Sequence, residues 1–216
     1  MRPVRRVAEL GSLGRFILPN METKNIKLWC RVSTWLCLLL ICMGCRTLNR
    51  VDFSDPLLNQ RRVLLFGAID DAKTELTIQK LLYLDGKTNA AIDLFLQTPG
   101  GQMKGAFAIE QTMRIIRSPV NTYALSECNS GGAFLLAAGT GKRRAFEGAV
   151  VMIHGLTINP LAPKSFVERM RNNHEAFWRK HAHLPDGWLP FAAGTNHFLS
   201  AEQALEYGMV DEVVKR

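Results

Sequence analysis

Beyond residue 60 the chain alternates short apolar runs with stretches in which apolar residues recur every three or four positions. Val63-Leu-Leu-Phe66 reads as a short buried strand, Asp71 to about Leu84 as a helix, and Ala91 to Gln97 as a strand that runs out into Pro99-Gly100-Gly101. A helix predicted over 103–117 puts Ala106, Ile109, Met113 and Ile116 on one face and is closed by Pro119. A strand over 120–125 follows, then the turn-forming residues 126–129, then an apolar helix Ala133–Ala138 stopped by Gly139 and Gly141. Val150-Val-Met-Ile153 is the next apolar strand, with His154 at its carboxyl end. The segment 163–181 is amphipathic, with Phe166, Met170, Phe177 and His181 at helical spacing, and Ser200 with Gln203 forms a capping box for a last helix ended by Gly208. Repeated strand–helix units predict an α/β domain with a mainly parallel sheet covered by helices.

Composition narrows the class. Of 216 residues, 47% are hydrophobic and 21% charged, and mean hydropathy is near zero, which argues against a disordered, collagen-like or polytopic membrane protein. Lys and Arg exceed Asp and Glu by 27 to 19. Residues 1–45 hold seven basic and two acidic residues, leaving twenty and seventeen for 46–216, so most of the excess belongs to a leader and no nucleic-acid partner is implied. Cysteine divides at the same place: Cys30, Cys37, Cys42 and Cys45 lie in the leader, and only Cys128 beyond it. No disulfide framework can be built in the remainder.

The leader has an order of its own. Lys24, Lys27 and Arg31 precede the apolar stretch Trp35–Met43, which is shorter than a comfortable membrane-spanning helix, and Gly44-Cys45 follows. Secretory or lipoprotein processing, an uncleaved anchor, and an extension from a misplaced start codon are the three readings, with Met21 the more conventional start. The first is preferred. It makes Cys45 a lipidated N-terminus and the protein membrane-anchored and extracytoplasmic; a cytoplasmic location is the alternative. Residues 1–45 are then leader, 46–60 linker, and 61–216 the folded domain.

Function in an open parallel sheet sits at the carboxyl ends of strands, and three such ends carry useful groups. Pro99-Gly100-Gly101 is either a tight turn or a place where backbone N–H groups approach a ligand. Ser130, ahead of Gly131-Gly132 and an apolar helix, is either an N-cap or a nucleophile with helix N–H groups ready for an oxyanion. His154 is either a hydrogen-bonded core residue or a general base.

Together with their surroundings these residues resemble the proteolytic-subunit family of the Clp serine peptidases, ClpP. The resemblance runs over 61–216 and rests on Phe66-Gly-Ala-Ile-Asp70, Thr98-Pro-Gly-Gly101, Gly132-Ala-Phe-Leu-Leu-Ala-Ala-Gly139, Val151-Met-Ile-His154 and Phe198-Leu-Ser-Ala-Glu-Gln-Ala-Leu-Glu-Tyr-Gly-Met-Val-Asp211. It implies the ClpP/crotonase-like fold in a single domain, Ser130 as nucleophile, His154 as base, and Gly101 and Gly131 as the oxyanion-hole N–H groups. Asn196 falls where the family has the triad Asp, with Asp186 and Glu202 as carboxylates that would compensate. The acyl-CoA chemistry of the related crotonase proteins is disfavoured by the positions of Ser130 and His154.

The implied activity is serine endopeptidase cleavage of short or unfolded polypeptides with no cofactor or metal, in a homo-oligomeric ring. The alternative is a non-catalytic, structural or binding subunit. An ATP-driven AAA+ unfoldase is the partner implied for cytoplasmic relatives, but a lipoprotein outside the inner membrane has no ATP supply. The chain departs from the family pattern at Ser126-Glu-Cys-Asn129 before the serine, at Gly155-Leu156 after the histidine, and at Thr157–Pro163, where a Gly-rich strand is usual. The last departure predicts weak or absent pairing of rings. Phe177 and Trp178, adjacent on one helix, predict a contact between subunits that covers one of them, with an ordinary intrachain core as the alternative.

Overall fold

The computed structural model describes residues 51–159, 161–188 and 195–215. The leader, with Cys45, lies outside the described residues. The elements are α1 (Pro56–Asn59), β1 (Arg62–Phe66), α2 (Asp71–Lys87), β2 (Ile92–Thr98), α3 (Met103–Ile115), β3 (Val120–Asn129), α4 (Gly131–Ala137), β4 (Arg143–Phe146), β5 (Val150–His154), α5 (Lys164–His181), β6 (Asn196–Ser200), α6 (Ala201–Glu206) and β7 (Glu212–Val214). Strands β1, β2, β3, β4 and β7 pair in that order, all parallel. Parallel strands laid down in chain order need crossovers of one hand, which send the connecting helices to one face of the sheet. Val63 and Leu65 of β1 and Ile92, Leu94 and Leu96 of β2 are buried on that face, while Leu64 and Phe66 are 39% and 44% exposed on the other.

One expected break is absent. Residues 126–129 form no turn: β3 continues through them and exchanges one neighbour for another. Thr122–Ala124 pair with β4, and Glu127–Asn129 pair with β5, so the sheet forks along a single strand. A register shift marks the fork, Leu96 facing Ala124 and Thr98 facing Cys128, so that two steps on β2 match four on β3. Residues of turn-forming type are extended here because β5, remote in sequence, supplies a ladder for their backbone groups. Strand β6 then adds antiparallel to β5.

Residues 51–60, read from sequence as a linker, carry Val51 and Leu58 into the core and set Phe53 against Tyr83 with ring centroids 4.4 Å apart. The central helix α4 is buried along its whole length.

The face of α5 differs from the expected one. Its buried residues are His174 and Trp178, whereas Phe166 is 49% exposed. Phe177 is half-buried: its ring centroid lies 3.9 Å from that of Phe134 of α4, which in turn meets Phe107 of α3 edge-on. Trp178 is 1% exposed. Trp178 is thus covered within the chain, while Phe177 keeps part of its surface open beside Lys180 and His181. Among the described residues no helix is long and apolar enough to cross a membrane.

Candidate active site

The fork in the sheet brings three chain segments to one point. Ser130 sits between β3 and α4 with φ +53° and ψ −116°, a conformation costing a non-glycine residue about 1–3 kcal/mol. Two backbone bonds hold it there: its N–H donates to the Met152 carbonyl at 2.7 Å, and its carbonyl accepts from Phe134 N–H at 3.0 Å. The side chain makes no capping bond to α4. Instead its Oγ lies 2.8 Å from His154 Nε2, which sets aside the N-cap reading of this serine.

His154 ends β5, and its Nδ1 is 2.5 Å from the Gly155 carbonyl oxygen. A carbonyl only accepts, so Nδ1 carries the proton and Nε2 offers its lone pair to the serine hydroxyl. This is the tautomer a general base needs.

The glycines form the opposite wall. A Cβ on Gly100, where φ is +93°, would lie 2.7 Å from both Ser130 Cβ and the Asn129 carbonyl oxygen, so only glycine lets this loop touch the serine turn. Gly101 is bridged to Ile69, and a Cβ on Gly131 would sit 3.8 Å from the Gly101 nitrogen. The two amides abut beside Ser130. Neither meets a backbone acceptor among the described residues, and Gly131 opens α4, where the positive end of the helix adds to the local potential.

Asn196 is brought to the site by register but not by a hydrogen bond. It stands directly opposite His154 in the β5–β6 ladder and is exposed, and among the described residues no bond joins it to the imidazole. The position at His154 Nδ1 is filled by the main chain. Asp186 is exposed and makes no bond to His154. Glu202 is engaged at the start of α6, where its own backbone N–H and the Ser200 hydroxyl, 2.8 Å from Oε2, hold its carboxyl below the usual range.

Two further side chains reach the cleft that the sequence did not assign to it. The cavity of about 230 Å³ that holds Ser130, His154 and Gly101 is walled by His174 and Trp178 of α5. The spacing of an imidazole and an indole by four residues on an amphipathic helix was the available signal, and the apolar periodicity of Phe166, Met170 and Phe177 masks it. Beyond His154 a wider groove of about 820 Å³ runs between Leu156–Asn159 and the start of α5, past Lys164, Glu168 and Arg171. Among the described residues no group of three His, Cys, Asp or Glu side chains could hold a metal ion.

A mainly parallel sheet with a serine–histidine pair at its carboxyl edge, facing two glycine amides, defines a single-domain α/β protein of the ClpP/crotonase-like class. The sequence profile of the Clp protease family matches residues 46–216, and the chain belongs to that family.

Proposed function

We propose that this protein is a serine endopeptidase that hydrolyses short or unfolded polypeptides through an acyl-enzyme on Ser130. The observation that carries the reading is the 2.8 Å contact between Ser130 Oγ and an imidazole nitrogen whose tautomer is set from the far side by Gly155. In the forward step Oγ attacks the scissile carbonyl carbon while its proton passes to His154 Nε2. The oxyanion is held by the N–H groups of Gly101 and Gly131. His154 returns the proton to the leaving amine as the C–N bond breaks, and a water, deprotonated in turn by His154, releases the acyl group and restores Ser130.

The Gly155 carbonyl orients the ring but brings a dipole where a carboxylate would bring a charge. Replacing the aspartate of another serine protease by asparagine costs about 10⁴ in turnover, so this site is expected to be slow. Because the losses of groups that act as a unit do not add, Ser130→Ala is expected to lower hydrolysis of a short fluorogenic peptide by only about a further 10²-fold. The non-catalytic reading is favoured by the lack of a carboxylate at His154 among the described residues, and it takes over if wild type and Ser130→Ala release fluorophore equally slowly.

Location and assembly complete the proposal. The basic, apolar, Gly44-Cys45 order of the leader supports a lipid anchor at Cys45 outside the cytoplasm, where the enzyme works as a homo-oligomeric ring without an ATP-driven unfoldase. Intact mass of membrane-fraction protein is expected to show an acylated chain beginning at Cys45, and a soluble chain that keeps residues 21–44 would refute the anchor.

A further inference from the structure

The cavity at Ser130 and His154 does not end there. His154, Gly155, Leu156 and Thr157 line both it and the wider groove of about 820 Å³, so the two make one continuous cleft. A single face of α5 walls it from end to end, with Lys164, Glu168 and Arg171 along the groove and His174 and Trp178 at the cavity. Steps of three and four residues keep these side chains in one row. Leu156 to Asn159, on the other side of the groove, carry no charge, and among the described residues no Asp, Glu, Lys or Arg lines the cavity.

Fixed charge therefore enters the described cleft from α5 alone. Within the row Arg171 comes first after the cavity, one turn from His174 or about 5 Å along the helix axis, and Lys164 stands about 10 Å further out. Arg171 is exposed, and the ion pairs of the described residues take in none of Lys164, Glu168 and Arg171. On the same helix Glu175 is closed on Arg179. A guanidinium left open on the wall of a cleft presents a planar fork of donors that matches a carboxylate. An extended polypeptide advances about 3.3 Å per residue, so a side chain one or two residues from the bond at Ser130 comes level with Arg171.

We infer that Arg171 is a specificity-determining residue that reads an acidic side chain, Asp or Glu, one or two residues from the scissile bond. The inference rests on the peptidase reading above and names the class of polypeptide that the site takes: one acidic beside the cut, on the side that lies in the groove. Glu168, the next charge outward, limits the preference, because an acid placed further along meets a like charge.

The test uses internally quenched peptides with amidated C-termini that carry Asp or Asn at one position, stepped through about five residues on each side of the cut, with the cut located by mass spectrometry. The amide end keeps a terminal carboxylate from supplying the signal. For the full chain, kcat/KM is expected to favour Asp over Asn by about three- to fivefold at one or two residues from the cut, on one side only, and to approach parity at about 0.5 M salt. Arg171→Gln is expected to bring that ratio to about one, and Arg171→Glu to take it below one. Arg169→Gln removes the same charge from an exposed position of the same helix outside the groove and is expected to keep the wild-type ratio. No preference for Asp, an equal preference on both sides of the cut, or a preference that survives Arg171→Gln overturns the inference. So does a ratio that falls as far in Arg169→Gln, since a general positive field would then be at work. The peptidase reading fails separately, if no peptide is cut faster by wild type than by Ser130→Ala. Fluorescence anisotropy of the same peptides on Ser130→Ala needs no turnover: tighter binding of the Asp peptides, lost in Ser130→Ala/Arg171→Gln, upholds the role of Arg171, and equal binding of Asp and Asn peptides overturns it.

Discussion

The Gly155 carbonyl, and not the side chain of Asn196, meets the nitrogen of His154 that faces away from Ser130. The carbonyl of Gly155 holds the His154 ring, and the side chain at 196 projects from the residue opposite. Adding a negative charge at 196 therefore acts through space and leaves the existing hydrogen bond in place. Asn196→Asp is expected to raise peptide turnover by up to about tenfold, well short of 10⁴, because the position is exposed and water screens its charge. Steady-state rates at low salt read this directly. A rate at or below wild type would show that the imidazolium gains nothing from a charge at that position. Gly100 matters at the same scale for another reason, since its missing Cβ is what lets the loop after β2 lie against Ser130.

At the scale of elements, β7 is an edge strand of three residues whose attachment is readable in charges. Asp211, just before it, takes the Arg143 guanidinium at 2.6 Å and the Arg143 backbone N–H at 2.8 Å, which ties the start of β7 to β4. These bonds hold the Asp211 carboxyl below its usual range, the Arg143 side chain foremost. A carboxyl depressed on folding contributes stability above its unfolded value of about 4, and that stability is lost as pH falls through the folded value. Asp211→Asn is expected to cost about 1 kcal/mol at neutral pH, with the gap to wild type closing below about pH 4. Urea melts at two pH values check both size and sign, and a gap that widens on acidification would contradict the assignment. Most elements were legible in the sequence for local reasons: the capping box of Ser200 and Gln203 forms as read, and Ala106, Ile109 and Met113 face the core. What was not legible depended on partners remote in the chain. Nothing local in Ser126–Asn129 announces that β5 will pair with it, and on α5 the apolar periodicity of Phe166, Met170 and Phe177 masks the spacing of the buried His174 and Trp178. The partner of His154 Nδ1 is a main-chain oxygen, which no side chain advertises.

For the molecule as a whole, the sheet is covered on one face and half-open on the other. Leu64 and Phe66 look outward, and Phe95 stacks on Tyr123 beside them at 4.7 Å between centroids. This outer face offers apolar surface for assembly. Sedimentation at micromolar concentration is expected to show a species several times the mass of one chain. A monomer would remove the ring from the proposal and leave the serine–histidine pair untouched.

The hydrogen bond from His154 to Gly155 also bears on how such a site changes over generations. A main-chain carbonyl is present whatever residue occupies position 155, so mutation cannot delete it, only move it. A substitution at 196 therefore leaves that bond in place, whereas one at 130 or 154 removes a member of the pair in contact.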